Sequence, residues 1–184
     1  MARRLRTSCS ATSAPPVRPE FRPKQILSTL LEHVVEFVIN GGLAGIAQGS
    51  VLPSYDVDIV YARDRSNLER LAEALRELQA RLRGAPADVP FVLDEDTVER
   101  GAHFTFETPY GSLDLLTDLD GAPRYDRLKD AAVETEIEGV PVLVASLDHL
   151  IAMKEAAGRN KDKLMATEYR TLADEIRRRE ERRI

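Results

Sequence analysis

The chain has 184 residues, 43% of them hydrophobic and 31% charged, and a net charge of −5. That length fits one domain with room for a real core, and that charge excludes a uniformly basic nucleic-acid surface. The single cysteine, Cys9, excludes an internal disulfide framework and fits a reducing cytosol; no apolar run approaches membrane-spanning length, and the basic N-terminus lacks the apolar stretch of a secretory signal.

Residues 1–23 read as an unstructured arm, because TSCSATSAPPVRPEFRP is small, polar and proline-rich with no hydrophobic period. Pro23 suits the first turn of a helix, and Ile26, Leu30, Leu31 and Val34 keep helical spacing through KQILSTLLEHVVEF. EFVIN is a short buried strand ended by Gly41-Gly42, and LAGIAQG a helix kept thin by alanine and glycine. YDVDIVY is a strand with Val57, Ile59 and Tyr61 on one face and Asp56, Asp58 and Val60 on the other.

Ser66 with Glu69 three residues on forms a capping box for the next helix. Leu68, Leu71, Ala72, Leu75, Leu78 and Leu82 give it one apolar stripe, and Gly84 closes its end. After the loop GAPADVP come short strands FVL, HFTFET and SLDLLT, the last two joined by a turn at Pro109-Tyr110-Gly111. TEIEG and VPVLVA form a hairpin around Gly139, and Pro141 sets its strand at an edge or starts it there. Ser146 caps LDHLIAMKEAAG, which Gly158 stops. The final helix, NKDKLMATEYRTLADEIRRREERR, turns Leu164, Leu172, Ala173 and Ile176 inward. Mixed strands and helices of this kind predict an α/β or α+β fold.

The chemistry gathers around INGGLAGIAQGSVLPSYDVDIVY. Glycine lets backbone approach a phosphate, and a helix start offers free N–H groups. Carboxylates at Asp56 and Asp58 point the same way from one strand, where their mutual repulsion calls for a cation between them. Mg²⁺ takes carboxylate and phosphate oxygens together. A glycine turn and a solvent-facing strand are the plain structural alternative. The joint pattern favours a nucleoside triphosphate site. Asp114 stands inside an apolar strand, where an unpaired charge is costly; it is either a third site carboxylate or a buried residue paired with an arginine. Lys154 and Asp162 flank Gly158 and suit the ends of their helices whatever else they do. His33, His103 and His149 are dispersed without metal spacing. The arginine-rich ends MARRLR and RRREERRI can bind polyanions, although charge runs are usually solvated faces.

INGG, thirteen residues and then DVDI resembles the signature of the nucleotidyltransferase superfamily, the DNA polymerase β-like fold. Further stretches, NLERLAEAL, TPYGSLDLL and LIAMKEAAGRNKDKL, resemble bacterial nucleotidyltransferases of the AbiEii toxin type, over about residues 35–175. The resemblance implies a mixed sheet flanked by helices, with residues 24–145 as the core and 146–184 as C-terminal helices that complete a cleft. It implies metal binding by Asp56 and Asp58, with Asp114 as the third carboxylate, and catalytic roles for these three with Lys154 and Asp162. It implies nucleotide binding by Gly41, Gly42, Gly49, Ser50, Ser54, Lys154, Arg159 and Lys161. The implied cofactor is Mg²⁺ or Mn²⁺, with a nucleoside triphosphate as substrate. The implied acceptor is RNA, notably tRNA, in a cytoplasmic toxin with an antitoxin partner and no membrane association. Two alternatives stay open: a minimal nucleotidyltransferase that modifies a partner protein, and a non-catalytic domain that binds nucleotide or a partner protein.

Overall fold

Apolar residues alternate with aspartates between Asp56 and Tyr61, and this strand lies at the middle of the sheet. A computed structural model describes residues 20–85, 92–101, 103–117 and 124–182. In chain order the elements are α1 (Pro23–Glu32), β1 (Phe37–Asn40), α2 (Gly41–Ala47), β2 (Asp56–Tyr61), α3 (Arg65–Glu77), β3 (Arg81–Leu82), α4 (Glu95–Arg100), β4 (His103–Thr108), β5 (Gly111–Leu116), α5 (Tyr125–Asp130), β6 (Val133–Ile137), β7 (Val140–Val144), α6 (Leu147–Ala157) and α7 (Asn160–Glu181). The mixed seven-stranded sheet has the order β3-β4-β5-β2-β1-β7-β6. β2 pairs antiparallel with β1 and parallel with β5. Val57, Ile59 and Tyr61 are buried, as the period-two pattern requires. Among the described residues no helix is long and apolar enough to cross a membrane.

Several boundaries differ from the sequence expectation, each for an identifiable reason. α1 stops at Glu32, and Val34 turns the chain with φ 56°. Its inward stripe is therefore Ile26, Leu27 and Leu30, while Val34 is 68% exposed. Asp64, not Ser66, caps α3 by accepting from the Asn67 N–H at 3.0 Å. A carboxylate at that position answers both the free N–H groups and the helix dipole. α3 ends at Glu77 rather than near Gly84, because Gln79 turns with φ 51° and Arg81 and Leu82 join β4 as β3. Ladder hydrogen bonds there outweigh the continuing leucine spacing.

Phe91 of the expected FVL strand lies outside the described residues. Val92 and Leu93 form no strand and lead into α4, which Asp94 caps through the Thr97 N–H at 2.8 Å. α4 and α5 are six residues each and bury one residue apiece, Val98 and Leu128, too few for a period to show. β7 lies inside the sheet, not at its edge. It meets β1 only at Ile39 and Val144, so Pro141, near the strand's start, has no partner there to deprive. In α7 the inward face is Met165, Ala166, Tyr169 and Ala173, and Leu164 is 73% exposed. Tyr169 sets that phase: its ring packs on Gly45 of α2, where an added Cβ would come within 2.6 Å.

The arm up to residue 19 lies outside the described residues. Phe21 packs against Gly111, and the Arg22 N–H donates to the Tyr110 carbonyl at 2.8 Å. Removing residues 1–19 is expected to leave the melting temperature within a few degrees of the full chain. Removing residues 1–22 is expected to lower it further, because that backbone bond and the Phe21 contact go too. Equal melting of the two truncated chains would show that the contact contributes nothing.

Candidate active site

Cross-strand register assembles the site. Asn40 of β1 pairs with Asp58 of β2, and Asp58 pairs with Asp114 of β5. Directly paired residues project from the same face of a sheet, so three neighbouring strands present Asn40, Asp58 and Asp114 in one row. Asp56 lies two residues before Asp58, opposite Ser112. The carboxylates of Asp56, Asp58 and Asp114 each offer an oxygen, all within 4.8 Å of one another. Asp114 is buried at 9% exposure, whereas Asp56 and Asp58 are partly open to solvent.

The two glycines are fixed by this cluster. Gly41 has φ +65°, and a Cβ there would run into Asp58 Oδ2. A Cβ on Gly42 would come within 2.7 Å of Ser54 Oγ. Ser54 in turn donates to Asp56 Oδ1 at 2.9 Å and so orients that carboxylate. The glycine pair ahead of the two aspartates thus makes room for the side chains that the aspartates and Ser54 bring.

Three carboxylates this close disturb one another. Burial, then the charges of Asp56 and Asp114, push Asp58 up to about 7, against the pull of Lys154 and Arg83. Burial also raises Asp114, opposed by Arg83. Oxygen-only donors of this kind suit a hard divalent cation such as Mg²⁺ or Mn²⁺, and the charge strain is what such an ion relieves.

The cluster opens into a cleft of about 980 Å³. The turn between α6 and α7 lines it with Lys154, Arg159, Lys161 and Asp162. Gly158 makes that turn in the left-handed conformation with φ 66°. Lys154 Nζ lies 3.2 Å from Asp162 Oδ1, and Arg159 Nε 3.9 Å from Asp162 Oδ2. Both members of the first pair are mostly buried, so the lysine is held in place. Arg83, Glu107 and Ser112 line the cleft from the strands. A smaller, mainly apolar cavity of about 380 Å³ between α1, α5 and β7 contains none of these residues.

No protein-family model and no curated protein matches the chain. Solved structures do. ANT(2″)-Ia in complex with adenylyl-2″-tobramycin superposes with a TM-score of 0.53 at 19% identity, over 84% of this chain and 87% of that one. The lincosamide antibiotic adenylyltransferase LnuA, bound to lincomycin, superposes with a TM-score of 0.56 at 14% identity, over 83% and 99%. The chain has the nucleotidyltransferase fold.

On that fold, Gly42, Ser54, Asp56, Asp58, Lys154, Arg159, Lys161 and Asp162 all line one cleft. Gly41 and Asp114 lie against it, Gly41 under Asp58 and Asp114 beside Asp58 in the sheet. Gly49 and Ser50 stand apart and line no part of it. Ser50 is buried and donates to Glu168 Oε2 of α7 at 3.1 Å, and Gly49, with φ +108°, faces Leu172. Two residues of the site escape sequence reasoning. Arg83 follows a stretch that reads as helix, yet its Nη2 sits 3.2 Å from Asp114 Oδ1. Asn40 is buried at 4% exposure beside Asp58, with Oδ1 unpartnered and Nδ2 against Met153 Sδ at 3.5 Å. Its only signal was its place just before the glycine pair.

Proposed function

We propose that this protein transfers a nucleoside monophosphate from a nucleoside triphosphate to an acceptor hydroxyl. The gathering of Asp56, Asp58 and Asp114 against one cleft, beside the bare backbone of Gly41 and Gly42, carries the reading. The nucleotidyltransferase fold supports it. Asp56 and Asp58 would hold a divalent cation, with Asp114 within reach as a third ligand. When bound, that cation stabilises charge on the attacking and leaving oxygens.

The chain's own groups have separate tasks. Gly41 and Gly42 leave room for Asp58 and Ser54 to stand where the triphosphate approaches. Ser54 holds Asp56 in one orientation. Lys154, fixed by Asp162, supplies positive charge to the triphosphate and to the pyrophosphate that leaves. Arg159 and Lys161 extend that charge outward. Gly49 and Ser50 serve the site indirectly, by seating the loop before β2 on α7.

The acceptor in this reading is RNA, notably tRNA, as the likeness to toxin-type nucleotidyltransferases implies; a toxin role with an antitoxin partner belongs to the same reading. Arg159 and Lys161 are exposed at the cleft mouth, where a polyanion would meet them. The direct test is incubation with each labelled triphosphate and Mg²⁺, together with total RNA and total protein, followed by a gel. Label on RNA is expected. Label on protein alone moves the partner-modifying alternative ahead. No label on either, and none on small molecules, contradicts transfer.

A companion result is expected for the acceptor. Phosphate contacts release counterions, so RNA binding should weaken steeply with salt. Arg159→Ala combined with Lys161→Ala should lower the slope of log affinity against log salt by about 1 to 2. Triphosphate binding should stay close to wild type, because Lys154 remains. A double variant with the wild-type slope removes these two residues from the acceptor path.

A further inference from the structure

We propose that Arg83 is a displaceable counter-cation that competes with the divalent metal for Asp114, so that this carboxylate becomes a full metal ligand only when the guanidinium moves aside. The inference rests on the metal-binding reading of the three carboxylates.

Arg83 is anchored by its backbone and reaches two carboxylates with its tip. Its N–H donates to the Thr105 carbonyl at 2.9 Å, and Thr105 is the register partner of Asp114 on β4. The side chain reaches Asp114 Oδ1 from there at 3.2 Å. It is 38% exposed and lines the cleft, so it has open space to move into. A second carboxylate is within its range: Glu107 Oε1 lies 3.9 Å from Arg83 Nε and is 64% exposed. The guanidinium thus has a resting place on Glu107 when it leaves Asp114.

The charges make the competition unavoidable. An arginine cannot lose its proton to make way for a metal ion. With no ion bound, Arg83 is the only cation paired directly with any of the three clustered carboxylates among the described residues; Lys154 is engaged by Asp162. A divalent ion seated among Asp56, Asp58 and Asp114 would draw on the Asp114 carboxylate whose Oδ1 Arg83 now contacts, and would repel the guanidinium at short range. Arg83 therefore quiets the empty cluster and opposes loading of the ion.

A scheme in which Arg83 merely positions Asp114 for metal makes the opposite forecast, which gives the test its force. Mn²⁺ binding to the full chain is measured at pH 8 by the loss of the free-ion electron paramagnetic resonance signal. In Arg83→Ala and Arg83→Gln the dissociation constant is expected to fall about tenfold, the effect of one nearby, partly solvated charge. Arg83→Lys keeps the charge and is expected to stay within about threefold of wild type. The gain from Arg83→Ala should disappear in an Asp114→Asn background, since the contested ligand is gone. Unchanged or weaker Mn²⁺ binding in both Arg83→Ala and Arg83→Gln, with circular dichroism showing the fold retained, overturns the proposal for Arg83 and leaves the metal site standing. A wild-type chain that binds no Mn²⁺ overturns the metal site itself.

Discussion

Asp58→Ala is expected to abolish metal-dependent triphosphate binding and to lower nucleotidyl transfer by about a thousandfold, the several kcal/mol that a metal clamp supplies to phosphoryl-type transition states. Asp58 holds the central position: it pairs with Asn40 on one side and Asp114 on the other, and its Oδ2 occupies the space left by Gly41. Removing it takes the middle carboxylate from the cluster and leaves Asp56 and Asp114 as the remaining pair, one ligand short of the full set. The loss should appear in calorimetric titration with Mg²⁺ and a non-hydrolysable triphosphate. It should not appear as unfolding, because the side chain is partly exposed and packs no core. Retention of metal-dependent binding in a folded Asp58→Ala variant would remove this residue from the site.

The same residue should make the metal-free protein more stable as the pH falls from 8. In the folded chain Asp58 titrates near 7, against an ordinary value of 3.8. Between those values the folded state holds a proton that the unfolded state has released, so stability is full below about pH 4 and is lost as pH rises through 7. A rise of that size corresponds to about 4 kcal/mol. Asp58→Asn carries no such penalty. At pH 8 without metal it should melt about 10 °C above wild type, and the gap should narrow at pH 5.5. Mg²⁺ should raise the wild type toward the variant and leave the variant nearly unmoved. Glu36, Asp64 and Asp94 are held below their usual values by hydrogen bonds, first from Lys129, Ser66 and Thr97 respectively. Their contributions are lost only in more acid solution, outside this window. An Asp58→Asn variant that melts at or below wild type at pH 8 would show that the carboxylate crowding is relieved in some other way.

These two results concern residues that could be read from the sequence, because their signals are local. A period-two strand fixes which way Asp56 and Asp58 point, and a glycine pair needs no long-range partner to announce a tight approach. Lys154 and Asp162 were legible for the same reason, since the Gly158 turn folds eight residues back on themselves. From the residues alone Asp114 could be marked only as an anomaly within an apolar strand, and the family resemblance was what offered it as the third carboxylate. Its place beside Asp58 depends on parallel pairing of β5 with β2, across more than fifty residues of chain. Arg83 was hidden by the leucine spacing that runs on past the end of α3. Gly49 and Ser50 matched a small-residue turn before the carboxylates, but their side of the loop is claimed by Glu168 and Leu172 on a helix far along the chain. In α7 Ala173 is buried and Leu172 and Ile176 pack partly buried on the core, as expected. Leu164 is exposed, however, and Tyr169 was missed, since it fits a hollow over Gly45 that no pattern within the helix records.

The most direct measurement is a crystal structure of the protein with Mn²⁺ and a non-hydrolysable triphosphate, read by the anomalous signal of the metal. A manganese peak about 2.1 Å from oxygens of both Asp56 and Asp58, with the triphosphate running past Gly42 and Ser54 to Lys154, is the expected result. A triphosphate bound without a metal at these aspartates, or bound outside this cleft, would contradict a metal-dependent nucleotidyl transfer at this site.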